Sequence, residues 1–165
     1  METEEKFDVI IDGQKMQIVD MQPQHIDMVV KIEQENFSEP WSFCAVDSLI
    51  ENRFAVKRVC VDESGEVVGY YSFAKSFEDG FVNNIAVKKS AQNKGVGKAL
   101  MTDMFAQAEK NGVDNLTLEV RPSNGVAVEM YKKLGFVECG KRRQFYPDKE
   151  DATIMWKTKV DKCDK

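Results

Sequence analysis

The period of hydrophobic and polar positions changes several times along the chain, and each change predicts a boundary between elements. Alternating or short apolar runs predict strands at 16–19, 55–61, 67–74, 81–87, 116–120, 136–145 and 152–159. Apolar residues three and four positions apart predict helices at 25–36, 42–51, 96–110 and 125–134, the second capped by Ser42. Residues 7–11 either pair with 16–19 through an Asp12-Gly13 turn or stay loose.

The order of these elements is strand, two helices, three strands, helix, strand, helix and two strands. An antiparallel meander followed by a strand–helix–strand crossover predicts a mixed, mostly antiparallel sheet flanked by helices, of the α/β (α+β) class. With no repeat or linker in the sequence, we expect one domain over residues 16–160, preceded by an N-terminal extension over residues 1–15.

Composition narrows the class of protein. Of the 165 residues 42% are hydrophobic and 31% charged, as in soluble globular proteins, and the net charge of −5 disfavours a nucleic-acid partner. No apolar run reaches the length of a membrane span and the acidic N-terminus is unlike a signal peptide, so we expect a cytoplasmic protein. The cysteines form no Cys-x-x-Cys pair, and with a lone histidine they predict reduced thiols and no metal site. These residues are Cys44, Cys60, Cys139, Cys163 and His25.

A glycine-containing loop between a predicted strand and a predicted helix is the strongest chemical signal. It comprises Gln92, Asn93, Lys94, Gly95, Val96, Gly97 and Lys98. Two glycines at a helix entrance let the main chain approach a ligand, and the amides of the first helical turn then point at it. Together with Lys88 and Lys89, the loop therefore predicts a site for a phosphate or pyrophosphate. A glycine-rich turn with no ligand is the alternative.

Spacing excludes two common phosphate loops. A Walker A loop ending at Lys98 would need glycine at 92 and serine or threonine at 99, where the chain has Gln92 and Ala99. A dinucleotide fingerprint starting at Gly95 would need a small residue at 100, where the chain has Leu100. The pattern that remains is Gln-x-x-Gly-x-Gly, which resembles the pyrophosphate loop of the GNAT superfamily of N-acetyltransferases.

Further motifs follow in order along the chain. They are Asn84-Ile85-Ala86-Val87, Leu118-Glu119-Val120-Arg121, Ser123-Asn124, Met130 to Phe136, Arg142 to Pro147 and Glu150-Asp151-Ala152. From about Met16 to Lys159 the chain resembles the RimI family, the ribosomal-protein-alanine N-acetyltransferases of the GNAT superfamily. Phe145 departs from the pattern, since the family often has tyrosine there.

The resemblance implies acetyl-CoA as the co-substrate. The main chain of the strand Ile85, Ala86 and Val87 would pair with the pantetheine amides, and the amides of residues 92–98 would hold the pyrophosphate. Asn124 resembles a family asparagine that touches the cofactor, although by geometry it is equally well explained as a helix cap.

The resemblance also implies two catalytic residues. Acetyl transfer needs a neutral amine, so a base must take its proton, and an acid should protonate the departing thiolate. Glu119 matches the family's catalytic glutamate, and alternation in its strand places it opposite the apolar face. Tyr131 matches the family's acid. The alternatives are a solvated carboxylate for Glu119 and a core position for Tyr131.

The sequence says less about the acceptor substrate. The resemblance places a peptide between Trp41, after the first helix, and Tyr146, between the last two strands, although Trp41 is explained equally well by the core. The implied reaction acetylates the N-terminal alanine of a small-subunit ribosomal protein. The alternatives are another protein N-terminus, a lysine or small amine as acceptor, or a non-catalytic acyl-CoA-binding module. Arg142 and Arg143 receive no role.

Overall fold

The computed structural model describes residues 5–158. The strands are β1 (Phe7–Ile11), β2 (Gln14–Asp20), β3 (Ala55–Asp62), β4 (Val67–Ser76), β5 (Asp79–Val87), β6 (Asn115–Val120), β7 (Val137–Arg142) and β8 (Ala152–Thr158). The helices are α1 (Ile26–Asn36), α2 (Phe43–Glu51), α3 (Val96–Lys110) and α4 (Gly125–Lys133). Cys163 and the predicted strand end at Lys159 lie outside the described residues.

The sheet is mixed, as the sequence predicts. Its eight strands follow the order β1-β2-β3-β4-β5-β6-β8-β7. β5 and β6 pair in parallel, whereas β1–β2, β2–β3, β3–β4, β6–β8 and β7–β8 are antiparallel. Of the two alternatives for residues 7–11 the hairpin forms, with Phe7 opposite Ile18 and Ile11 opposite Gln14. The parallel register runs only from Asp79↔Asn115 to Phe81↔Thr117, so residues 82–87 of β5 have no partner in β6.

The chain divides into two compact units. The first comprises residues 5–74 and 83–107 of the described chain, and its core is formed by α1, α2 and the first strands. Met21, Ile26, Val29, Val59 and Tyr70 are among the buried residues there. The second comprises residues 75–82 and 108–158.

Gly69 of β4 lets α3 approach the sheet closely in the first unit. A Cβ at this position would lie 3.0 Å from Leu100 Cδ1 and 3.1 Å from Val96 Cγ1. Contacts that short are rare in proteins, so a side chain at residue 69 would push α3 away. The start of α3, which carries the glycine loop, is thus fixed by packing against β4.

The predicted end of the first strand in the last hairpin is wrong. The strand expected to run from residue 136 to residue 145 ends at Arg142, because Gln144 has a left-handed backbone with φ of 51°. A strand cannot continue through that conformation. The register between β7 and β8 also shifts between Glu138 and Gly140.

No helix within residues 5–158 is long and apolar enough to cross a membrane.

Candidate active site

The glycine loop of the first unit has the geometry of an anion site. Asn93 and Gly95 have positive φ, 61° and 105°, and α3 begins at Val96. Its first main-chain hydrogen bond runs from the Ala99 N–H to the Gly95 carbonyl at 3.1 Å. The three amides of residues 96–98 therefore have no partner within the helix, and they can donate to a phosphate.

The Gln92 side chain fastens this loop to the end of β5. Gln92 Nε2 donates to the Val87 carbonyl at 3.0 Å and to Asn36 Oδ1 at 2.9 Å, and Asn36 Nδ2 donates to the same carbonyl at 3.1 Å. The carbonyl of Val87, predicted to pair with pantetheine, thus already accepts two hydrogen bonds. A ligand amide would have to replace one of these side chains, because a carbonyl oxygen has two lone pairs.

The lysines near the loop differ in their partners. Lys88 forms an ion pair with Glu66, and this hydrogen bond raises the pKa of Lys88. Lys89, Lys94 and Lys98 are exposed and form no ion pair with any residue in the range 5–158. These three ammonium groups are available to an anionic ligand.

In the second unit, the structure confirms the alternation predicted for β6. Leu116, Leu118 and Val120 are buried, while Thr117 and Glu119 are half-buried on the other face. The Glu119 side chain is 27% exposed, and its Oε1 lies 3.1 Å from Arg142 Nε. Arg142 is thus the only ion-pair partner of Glu119 within the described residues.

Tyr131 is buried near the end of α4. Its ring packs edge-on against Phe136, with centroids 5.6 Å apart. Burial raises the pKa of Tyr131 to about 12, and the neighbouring Tyr146 contributes to the rise. No group in residues 5–158 hydrogen-bonds its hydroxyl. The phenol is thus neutral at physiological pH and able to donate a hydrogen bond.

Tyr146 interacts electrostatically with both predicted catalytic residues, Glu119 and Tyr131. Burial raises the pKa of Tyr146, the cationic Arg121 opposes the rise, and the carboxylates of Glu119 and Glu150 add to it. Tyr146 also raises the pKa of Tyr131, so the three groups of the second unit influence one another electrostatically.

The loop that carries Tyr146 is held by Arg121, which follows directly after β6. The Arg121 guanidinium lies 3.9 Å from the centroid of the Tyr146 ring. Arg121 Nη1 donates to both oxygens of Asp148, at 3.0 and 2.8 Å, and lies 3.7 Å from Glu150. A cation over an aromatic face is stabilising, so Arg121 positions the loop next to Glu119.

The two remaining predicted residues have partners in the fold. Asn124 caps α4, since its Oδ1 accepts a hydrogen bond from the Ala127 N–H at 3.3 Å. This leaves its amide NH₂ as a donor for a ligand. Trp41 is partly buried against the core of the first unit, and its main-chain N–H donates to Glu33 Oε2 at 3.1 Å.

Sequence patterns assigned no role to two arginines of the candidate site. Arg142 forms an ion pair with Glu119, and Arg121 lies against the face of the Tyr146 ring. The signal for Arg121 was its place directly after the strand that carries Glu119. Arg142 could not be found in this way, because the irregularity between Glu138 and Gly140 shifts the register of the strand that carries it.

Cys44, Cys60 and Cys139 are free thiols, and burial raises the pKa of Cys60 to about 12. In the part of the chain that the structure describes, no three histidine, cysteine or acidic side chains come together as a metal site would require.

The chain belongs to the acetyltransferase (GNAT) family, whose model matches residues 26–136. It is accordingly an N-acetyltransferase that depends on acetyl-CoA. The fold, the glycine loop at the start of α3 and the eight-stranded mixed sheet agree with this membership.

Particular relatives are similar over most of their length. The ribosomal protein bS18-alanine N-acetyltransferase of Escherichia coli K12 is 35% identical over 127 residues, 75% of this chain and 84% of the relative. An N-alpha-acetyltransferase of Sulfurisphaera tokodaii is 35% identical over 160 residues, 87% of this chain and 93% of the relative. The crystal structure of the ribosomal-protein-S18-alanine N-acetyltransferase from Escherichia coli superposes with a TM-score of 0.81, at 31% identity over 87% of this chain and 94% of that chain.

Proposed function

We propose that this enzyme acetylates the N-terminal amine of a protein, and that its acceptor is the N-terminal alanine of a small-subunit ribosomal protein. The observation that carries the proposal is Glu119. It is a half-buried carboxylate of β6 that forms an ion pair with Arg142 and raises the pKa of Tyr146, in a chain 35% identical to an alanine N-acetyltransferase. With a ribosomal protein as acceptor, the reaction takes place in the cytoplasm.

In this proposal Glu119 is the general base. An α-amine has an ordinary pKa of about 8, so most of it is protonated at neutral pH and must lose a proton before it attacks. The Glu119 carboxylate, whose Oε1 lies 3.1 Å from Arg142 Nε, takes this proton directly or through a water molecule. The neutral amine nitrogen then forms a bond to the thioester carbonyl carbon, and the carbon–sulfur bond breaks as the thiolate leaves. The nitrogen loses its second proton to solvent, which gives the neutral amide.

Tyr131 supports the leaving group. With a pKa of about 12, its phenol is a weaker acid than a thiol with an ordinary pKa of about 8.5, so complete proton transfer in the ground state is unfavourable. The phenol therefore keeps its proton and stabilises the leaving thiolate by donating a hydrogen bond as negative charge builds on the sulfur. Because its hydroxyl has no acceptor among residues 5–158, no protein bond must break first.

In the first unit, the main-chain amides of residues 96–98 and the exposed Lys89, Lys94 and Lys98 hold the pyrophosphate of acetyl-CoA in this proposal. The main chain of Ile85, Ala86 and Val87 lies in the part of β5 that has no partner in β6. An extended chain of amides can pair with such an edge as an added strand does.

The test is acetylation of synthetic peptides by the purified protein with acetyl-CoA, followed by mass spectrometry. We expect acetylation of a peptide that begins with the N-terminal alanine of the ribosomal protein. A control peptide of the same sequence, with a blocked N-terminus and an added internal lysine, should not be acetylated. Acetylation of the blocked peptide alone would contradict the proposal. Equal rates on other N-terminal residues would favour a general N-alpha-acetyltransferase, as the relative from Sulfurisphaera tokodaii is named.

A further inference from the structure

A buried carboxylate in α1 has no part in the chemistry described so far. Glu33 is 1% exposed. Its Oε2 accepts a hydrogen bond from the Trp41 main-chain N–H at 3.1 Å, and its Oε1 accepts one from Asn84 Nδ2 at 2.8 Å and another from the Tyr70 hydroxyl. Burial raises the pKa of Glu33, and the bonds from Trp41 and Asn84 oppose that rise.

The three donors belong to three parts of the first unit. Trp41 lies in the loop between α1 and α2, here called the acceptor loop (residues 37–42). Asn84 lies in β5, directly before the residues expected to pair with acetyl-CoA. Tyr70 lies in β4 and is fully buried in the core. One side chain thus joins the acceptor loop, the strand of the co-substrate and the core.

Packing alone does not account for a carboxylate at this place. Burying an ionised group is costly, and replacing a buried charge and its partners with apolar residues of similar volume is often neutral or stabilising. What a carboxylate supplies, and a leucine of similar size does not, is four acceptor positions that fix the direction of several donors. The gain from Glu33 is therefore in the orientation of Trp41 and Asn84.

We propose that Glu33 is a positioning residue that holds the acceptor loop in register with β5, so that the acceptor amine and acetyl-CoA meet a single rigid frame. It acts through the Trp41 N–H and the Asn84 side chain and touches neither substrate. This role rests on the proposed function, because it supposes that the loop binds the acceptor and that β5 binds acetyl-CoA.

The experiment compares three variants of the full chain. Glu33→Leu removes all the acceptors, and since each lost bond involves a charged group we expect the acceptor KM to rise by about tenfold or more, with a smaller change in kcat. Glu33→Gln should restore the KM to within about threefold, since its oxygen can accept from Trp41 while its NH₂ donates to Tyr70 and to a reoriented Asn84 amide. Tyr70→Phe is the control, because it removes one donor to the same carboxylate without touching the loop or β5.

If Glu33 only stabilises the fold, the variants should differ from wild type in melting temperature and not in KM. Glu33→Leu and Tyr70→Phe would then both lower the melting temperature, and both would leave the KM unchanged in folded protein. That result overturns the proposal. Should Glu33→Leu fail to fold, Asn84→Ala tests the arm to β5 alone. It should weaken acetyl-CoA binding in calorimetry, and unchanged binding would overturn the proposal.

Hydrogen exchange separates this idea from the proposed function. In protein without substrates, Glu33→Leu should speed exchange of the Trp41 amide, while Tyr70→Phe should not. Wild-type protein that acetylates no peptide N-terminus refutes the proposed function, but the exchange result still reports whether Glu33 orders the loop. Unchanged exchange at Trp41 in Glu33→Leu overturns the positioning role whatever the acceptor is.

Discussion

At the scale of single residues, the proposed site depends on the carboxylate of Glu119 and on its ion pair with Arg142. Arg142 is more than half exposed, so its ion pair with Glu119 contributes little to stability. Its proposed effect is to orient the carboxylate for proton transfer. The side chain at position 119 should therefore matter for turnover and hardly at all for folding.

Glu119→Gln is expected to lower kcat/KM on an alanine peptide by roughly 10²–10⁴-fold, the usual contribution of a general base. The melting temperature and the affinity for acetyl-CoA should stay close to wild type. Steady-state kinetics across pH 6–9 measure the effect. Glu138→Gln is the matched control, because Glu138 is an exposed carboxylate of the second unit that lies 3.9 Å from Lys132 Nζ. A loss of less than about threefold in Glu119→Gln would assign the base elsewhere.

Tyr131→Phe is expected to lower kcat and to leave the KM for acceptor almost unchanged, because the phenol acts only once charge builds on sulfur. The ring still packs against Phe136 and the hydroxyl has no partner in residues 5–158, so the stability change should stay below about 1 kcal/mol. Kinetics and thermal melting on this variant check both. Normal turnover would return Tyr131 to a purely structural role.

The raised pKa of Tyr131 also predicts a pH dependence. Its folded value of about 12 lies above the ordinary value of about 10, so the folded state binds this proton more tightly. The resulting stability is fully present below about pH 10 and is lost as the pH rises toward 12. The difference in tyrosinate absorbance between wild type and Tyr131→Phe should be negligible below about pH 11, and a difference near pH 10 would contradict the burial.

At the scale of elements, we propose that co-substrate binding depends on the start of α3. Gly69 allows the helix to pack closely on β4, and Gln92 fastens the preceding loop to β5. The amides of residues 96–98 thus have fixed directions before any ligand arrives. A fixed set of donors binds an anion without the cost of ordering a loop.

Gly97→Asp should weaken acetyl-CoA binding severely, because a side chain and a negative charge enter the space of the pyrophosphate. Calorimetric titration measures the change. Ala106→Asp is the matched control, because it adds the same charge at an exposed position of the same helix, roughly 13 Å further along its axis, and should bind normally. Unchanged affinity in folded Gly97→Asp would mean that residues 92–98 are not the pyrophosphate loop.

The sequence predicted the elements of secondary structure better than it predicted the contacts between them. Alternation in β6 gave the correct face for Glu119, and the glycine loop gave the correct start of α3 at Val96. The contacts of Arg142 and Glu33 were not predictable in the same way. Arg142 depends on a register shift in β7, and Glu33 receives donors from residues 37 and 51 positions away as well as from Trp41. No local pattern encodes such pairings, because they arise from tertiary packing.

At the scale of the whole molecule, a buried guanidinium ties the N-terminal hairpin to the core of the first unit. Arg58 is 1% exposed and donates to the Glu5 and Ile18 carbonyls, to Asp20 and, through two bonds, to Asp103. These contacts use all five of its N–H groups. Tyr71 adds a 2.6 Å hydrogen bond to Asp103 Oδ2. The N-terminal residues are thus joined to β2, β3, β4 and α3.

Asp103→Ala should destabilise the protein by about 3–5 kcal/mol, the usual cost of removing one partner from a buried ion pair. Urea denaturation measures the loss. Glu66→Ala is the control, since it breaks the half-exposed pair with Lys88 in the same unit and should cost at most about 1 kcal/mol. Equal losses in the two variants would mean that the Arg58 cluster contributes no more than a surface pair.

The division of the chain into two units has a spectroscopic consequence. The sequence contains two tryptophans, and each unit holds one, the partly buried Trp41 in the first and the 40% exposed Trp156 in the second. Trp156→Phe therefore leaves an intrinsic fluorophore that reports on the first unit, and Trp41→Phe leaves one for the second. Since β5 and α3 each run through both units, we expect the two emission changes to coincide along a denaturant titration. Separate midpoints would show that the unit carrying Glu119 and Tyr131 can open while the unit carrying the glycine loop stays folded.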